Sequence, residues 1–401
     1  MTWLVFLAAC SASPGTPEAT AGPPPPATGP VQTATPNADT QKPAIEGQTR
    51  APQPAKPTSW KQAEVARGLE TPWSIEPLPD GRLLVTERPG RMRIVTPDGK
   101  IGPALTGLPA VDARAQGGLL DVALSPDFAT SKRVFWSYAE PRGDGGNGTS
   151  VASGVLGDAG LTDVKVIFRQ EPGWQSVLHF GSRLAFAPDG NLFVTLGERS
   201  QPEPRELAQD LGGHLGKVVR IRPDGSVPQD NPFVGKAGAK PEIWSYGHRN
   251  VQSATTDAAG RLWTVEHGPK GGDELNHPEA GKNYGWPVIA YGEDYSGKPI
   301  GEGRTAREGM EQPVYYWDPV IAPCGMASYD ADLFPGWKGS LLVGGMVAAS
   351  LVRLEMRDGR VASEEWLPLN ARIRDVKVDR DGSVLVITDE PNGRIIRITP
   401  A

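Results

Sequence analysis

Apolar and polar residues alternate in short runs along residues 59–401, and the runs come in pairs joined by a glycine turn. Leu78-Pro79-Asp80-Gly81 leads into Arg82-Leu83-Leu84-Val85-Thr86, and Ala187-Pro188-Asp189-Gly190 leads into Asn191-Leu192-Phe193-Val194-Thr195. Ala258-Ala259-Gly260 precedes Arg261-Leu262-Trp263-Thr264-Val265, and Arg380-Asp381-Gly382 precedes Ser383-Val384-Leu385-Val386-Ile387-Thr388. Period-two alternation across an Asp-Gly turn is a hairpin signature, because the glycine takes the left-handed backbone that a tight reversal needs. Shorter echoes occur at Thr96–Gly99, Arg222–Gly225 and Arg357–Gly359. No long helical period competes with them.

Repeated hairpins separated by variable loops predict an all-β chain folded as a β-propeller of about six four-stranded antiparallel blades. The last run, Arg394 to Thr399, is expected to pair with the first strand after Trp60 and close the ring. Composition agrees: 49 glycines, 40 prolines and 11 tryptophans favour many short strands.

The first 58 residues read differently. Residues 11–58 hold 12 prolines and neither an aromatic residue nor a leucine, so alone they bury too little surface to offset chain entropy. A proline-rich disordered tether is expected there. Ahead of it, Leu7-Ala8-Ala9-Cys10 closes a short apolar stretch in the manner of a bacterial lipoprotein signal over residues 1–10, with Cys10 as the lipidated residue. Met1-Thr2 departs from that pattern by supplying no Lys or Arg. The expectation is an exported cell-envelope or periplasmic protein whose membrane contact is the lipid anchor alone. Cys324 then has no disulfide partner and reads as a small buried residue in a loop. Lys and Arg total 41 against 47 Asp and Glu, a net charge of -6, which argues against nucleic acid as a partner.

None of the five histidines stands at zinc-ligand spacing, and the sequence lacks a Gly-x-Ser-x-Gly elbow, a phosphate-binding Gly-x-x-x-x-Gly-Lys loop and a dinucleotide fingerprint. What remains is polar loop sequence that turns and packing do not require. It comprises Ser245 to Gln252 with Arg249 and Asn250, Glu266 to Glu274 with a Gly268-Pro269 turn, Asn283 to Pro287, and Tyr291 to Tyr295. Backbone carbonyls beside carboxylates suit a hard cation such as calcium. Arg372 and Arg374 lie two apart on an expected strand and point the same way. They suit an anion with several carboxylates, or equally a pair of surface acids.

The order of these segments resembles the glucose/sorbosone dehydrogenase family of soluble quinoproteins, and its aldose sugar dehydrogenase branch in particular. The residues carrying the resemblance are Gln116 to Asp121, His179 to Leu184, Leu215 to Ile221, Gly247 to Asn250, Glu266 to Pro269, Asp273-Glu274, Asn283 to Pro287, Ile321 to Pro323 and Arg372 to Val376. It implies a calcium- and pyrroloquinoline quinone (PQQ)-dependent oxidoreductase that converts the C1 hydroxyl of aldose mono- or oligosaccharides to lactones and passes electrons to an external acceptor. His179 then matches the catalytic base and Arg249 the group that polarises the quinone. Gln116, Asn250 and Tyr295 match cofactor contacts, and Arg372 and Arg374 the clamp on its carboxylates. Gly268 and Pro269 match the main-chain ligands of the cofactor-bound calcium, and Glu274 and Tyr284 a further calcium position. One departure stands out: Val347 occupies the place of a family lysine that contacts the cofactor. On that account a non-catalytic exported propeller that binds carbohydrate or protein stays open, and a calcium-dependent propeller lactonase stands as a separate alternative.

Overall fold

The computed structural model describes residues 29–401. Its 24 strands form six four-stranded antiparallel sheets. The inner strands of blades one to six run Pro72–Pro77, Leu119–Leu124, Gly181–Phe186, Val251–Thr256, Pro323–Tyr329 and Ile373–Val378, each packing on its neighbours round a central axis. Helix is confined to Phe128–Ser131 and Pro202–Glu206 among the described residues, apart from two short 3₁₀ turns.

The ring closes as the sequence predicts. The first strand, Trp60–Leu69, is the outer strand of blade six and pairs with Gly393–Pro400, with Lys61 opposite Thr399 and Arg67 opposite Arg394. The four main glycine turns all connect the first strand of a blade to its second, in blades one, three, four and six. At Leu78–Arg82 the Gly81 N–H donates to Leu78 O at 3.1 Å and Leu78 N–H to Arg82 O at 2.8 Å, with Gly81 at φ 86°. Proline sets the turn's φ, and glycine takes the left-handed position. These turns therefore mark one end of the ring, and the second strands exit at the other end, where the inner strands begin.

The core lies between blades. Trp136 with Leu119 and Leu84 seals blade one against blade two, and Trp263, Trp317 and Leu341 seal blade four against blade five. On the axis, the buried Arg183 guanidinium reaches Asp121 at 2.9 Å and Asp375 at 2.8 Å. Ser74 Oγ donates to both carboxylates, at 2.7 and 3.1 Å, and Arg183 Nε donates to Gln252 O at 3.3 Å. One charge network thus joins blades one, two, three, four and six.

Residues 29–58 differ from the tether expected of them. Gln48 O accepts Tyr316 N–H at 2.8 Å, Pro52 O accepts Glu364 N–H at 3.0 Å, and Thr58 N–H donates to Glu365 at 2.6 Å. Those acceptors and donors belong to the outer strands of blades four and five, Tyr315–Trp317 and Arg360–Pro368. Arg50 caps the strap by donating to Gln32 O, Ala34 O and Asp318 O. The segment has no core of its own; it takes its order from two exposed sheet edges that otherwise lack partners. Residues 11–28 and Cys10 lie outside the described residues. Among the described residues no helix is long and apolar enough to cross a membrane.

Candidate active site

The inner strands begin, and the second strands end, round a cavity on the axis. It is lined by Gln116, Asn250, Arg372 and Arg374, which the sequence singles out, by Gln252 and His267, which fall within its marked segments, and by Arg88, Met346 and Asp389, which it does not mark. Trp73, Leu120 and Phe180 give it an apolar side. Three guanidiniums and one carboxylate line this well. Asp389 is spent on two of them, reaching Arg374 at 3.0 Å and Arg372 at 3.3 Å. Those two charges hold its carboxyl below the ordinary range, against the cost of burial.

His179 is buried one residue before the wall residues Phe180 and Gly181, at φ 49°. Its backbone N–H donates to Gln116 Oε1 at 2.8 Å, and Nδ1 lies 3.2 Å from Glu198 Oε2. Burial first, then the Arg249 charge, pushes the imidazole below 6.5, with Glu198 opposing. A carboxylate on Nδ1 fixes the tautomer and leaves Nε2 as the proton acceptor. Glu198 also accepts Ser200 N–H.

Asn250 Oδ1 accepts Gly181 N–H at 3.1 Å and Gln252 Nε2 at 3.2 Å, yet its Nδ2 is buried without a partner. Arg249 Nη1 donates to His267 O at 2.9 Å and Gly268 O at 2.7 Å, while its Nε is likewise unpartnered. Buried donors without acceptors are uncommon in folded proteins. Asn250 lines the axial well and Arg249 the cleft beside it.

A second, narrower cleft adjoins the well and shares His267 with it. Arg249, Gly268, Pro269, Glu274 and Tyr284 line it, with Glu266. All four residues expected to hold calcium therefore meet in one place. A Cβ on Gly268 would stand 2.3 Å from Gly271 O and from Gly272 O, so only glycine fits that turn. Asp273 ties the turn to blade five, accepting N–H groups from Gly268 at 2.9 Å, Ile321 at 2.8 Å and Ala322 at 2.7 Å. Burial pushes Asp273 up to about 7 against those three donors. Burial and then the neighbouring Glu266 charge raise Glu274. Two crowded carboxylates beside main-chain carbonyls are what a divalent cation relieves, and the donor set suits calcium, though Gly268 O is shared with Arg249 Nη1. No group of three His, Cys, Asp or Glu gathers among the described residues, so such an ion would rest largely on main-chain oxygens.

Tyr295 lies apart from both cavities. The turn at Asp294–Gly297 carries it outward, leaving it 75% exposed with its hydroxyl 3.4 Å from Pro269 O. Val347 is also exposed, next to Met346 in the wall. Cys324 is buried, as expected, but on a strand rather than in a loop, with Sγ 3.1 Å from Arg374 Nη1. The other histidines are held by structural partners: His214 by Glu242, His248 by Glu266 and His277 by Leu262 O.

A six-bladed propeller with a cationic axial well and a buried, carboxylate-backed histidine defines a class of propeller oxidoreductase. The profile of the glucose/sorbosone dehydrogenase family matches residues 69–397, and the chain belongs to that family and is a sugar dehydrogenase. It is 43% identical over 343 residues to aldose sugar dehydrogenase YliI of Escherichia coli strain K12, covering 83% of this chain and 91% of that one. It is 24% identical over 420 residues to quinoprotein glucose dehydrogenase B of Acinetobacter calcoaceticus, covering 85% and 87%. The PQQ-bound structure of aldose sugar dehydrogenase from Streptomyces coelicolor superposes with a TM-score of 0.71 at 27% identity, covering 85% of this chain and 99% of that one.

Proposed function

We propose that this chain oxidises the C1 hydroxyl of aldose mono- or oligosaccharides to lactones, with PQQ and calcium as cofactors and an external electron acceptor. The observation that carries the reading is the well itself: guanidiniums in excess of carboxylate, an apolar side of Trp73, Leu120 and Phe180, and the unpartnered Asn250 Nδ2. A flat anion with several carboxylates and a polar edge satisfies all three at once. When bound, the cofactor supplies the two-electron acceptor for the hydride leaving C1.

This chain's residues supply the rest. His179 removes the C1 hydroxyl proton at Nε2, and Glu198 on Nδ1 steadies the imidazolium that results. Arg249, fixed by the His267 and Gly268 carbonyls, places positive charge where negative charge develops. Gln116, Asn250, Arg372 and Arg374 hold and orient the cofactor. Gly268 and Pro269 carbonyls would hold one calcium, and Glu274 with the Tyr284 carbonyl a second. Tyr295, exposed and 3.4 Å from Pro269 O, remains a cofactor contact in this reading. Export and anchoring through Cys10 belong to the same reading, tested by fatty-acid labelling of the wild type against Cys10→Ala.

Reconstitution of the purified protein with PQQ and calcium, followed by dye reduction with glucose and with disaccharides, tests the proposal. Turnover is expected only with both cofactors. Absence of turnover with both favours a binding propeller, and turnover without quinone favours a lactonase.

A further inference from the structure

Arg88 is the third guanidinium of the well, and it differs from the other two. It follows the strand Leu83–Glu87 directly, at the point where the second strand of blade one exits beside the cavity. The acids nearby are committed elsewhere. Glu87 accepts from Arg91 Nε at 2.7 Å and Arg93 Nε at 2.9 Å, and Asp389 is taken by Arg372 and Arg374. Arg88 makes no ion pair among the described residues. Its one side-chain hydrogen bond runs from Nε to Gly117 O at 3.3 Å, next to the wall residue Gln116. Burial, then the Arg374 charge, lowers its basicity, with Asp389 partly opposing. A half-buried cation held near a like charge, with the nearby Asp389 already shared between two other guanidiniums, is costly unless an anion arrives.

We propose that Arg88 is a cofactor-binding residue, donating its guanidinium to a carboxylate of the bound quinone and replacing from blade one the cation that Val347 lacks in blade five. The inference rests on the PQQ reading above and extends it to a residue that neither turn chemistry nor packing explains. The guanidinium contributes charge and direction, and no bond is made or broken at it.

Equilibrium titration of calcium-loaded apoprotein with PQQ, followed by the quinone's absorbance, tests it without any turnover. Arg88→Gln is expected to weaken binding about tenfold, the scale of one lost charge-assisted bond, and to flatten its dependence on salt. Arg88→Lys, which keeps the charge, should fall between Arg88→Gln and wild type. Arg67→Gln removes an exposed cation paired with Glu64 at 2.5 Å far from the well, and should bind as the wild type does. Wild-type affinity in Arg88→Gln, or equal weakening in Arg67→Gln, overturns the proposal while leaving the PQQ reading intact. Should Arg88→Gln not fold, wild-type affinity and salt dependence in Arg88→Met or Arg88→Ala overturn it in the same way, and an Arg88→Lys protein weakened no less than those does so too. No uptake by the wild type would instead defeat the PQQ reading on which it rests.

Discussion

The two ends of the six inner strands share a scaffold and differ in chemistry. At the end where those strands finish, the opening is ringed by Ala123, Ala185, Ala254 and Ala327, its one cation, Lys377, is paired with Glu76 at 2.8 Å, and Asp330 leaves it with carboxylate in excess. At the end where they begin, three guanidiniums face one carboxylate. Between the two, Arg183 with Asp121 and Asp375 seals the axis. One end carries carboxylate in excess and the other guanidinium in excess, so only the second suits an anionic ligand. The contrast separates residues that maintain the ring from residues that await a ligand.

The largest effect is expected at the seal. Arg183→Met leaves two buried carboxylates facing each other without their cation and should cost ~3–5 kcal/mol of stability in denaturant unfolding. A loss under about 1 kcal/mol would mean that the axis is wetter or better compensated than its hydrogen bonds indicate. At the ligand end, His179→Ala should lower turnover by roughly 10²–10⁴-fold while cofactor affinity stays near wild type. Retained turnover would remove His179 from proton transfer.

Charges at the two ends should separate cleanly. Arg372→Gln is expected to weaken PQQ binding about tenfold with little change in stability. Lys377→Met at the opposite opening should cost about 1 kcal/mol of stability, since that pair is part-exposed, and leave PQQ binding untouched. Coupled losses in both variants would erase the distinction. The smallest effect concerns pH. Because burial and Arg249 depress the His179 imidazole, its base form persists as pH falls past 6.5, and kcat/KM should decline only below that value. An acid limb at or above 6.5 contradicts the buried geometry.

Fold was the more legible half in the sequence. The glycine turns name one end of four blades, and Arg394–Thr399 paired with the first strand as its alternation predicts. The strap at 29–58 escaped, because composition reports what a segment buries by itself and not which strand edges it can borrow. Within the site, Gln116, Asn250, Arg372, Arg374 and the Gly268-Pro269 turn were readable from motif order. Arg88, Glu198, Met346 and Asp389 were not, since each is a single residue after a strand. For Arg88, Glu198 and Asp389 a usable signal existed all the same: each follows a second strand of a blade whose glycine turn the sequence marks, whereas Met346 follows one in blade five, where none of the four main turns falls. Tyr295 shows the limit of order alone, for its loop turns it out to solvent.

The most direct test of the account is saturable uptake of PQQ by the calcium-loaded wild-type apoprotein, measured by equilibrium titration at low and at high salt. The unmatched cations predict saturation, with affinity that falls as salt rises. Absence of saturation at either salt concentration would contradict the well's assignment as the seat of a redox anion.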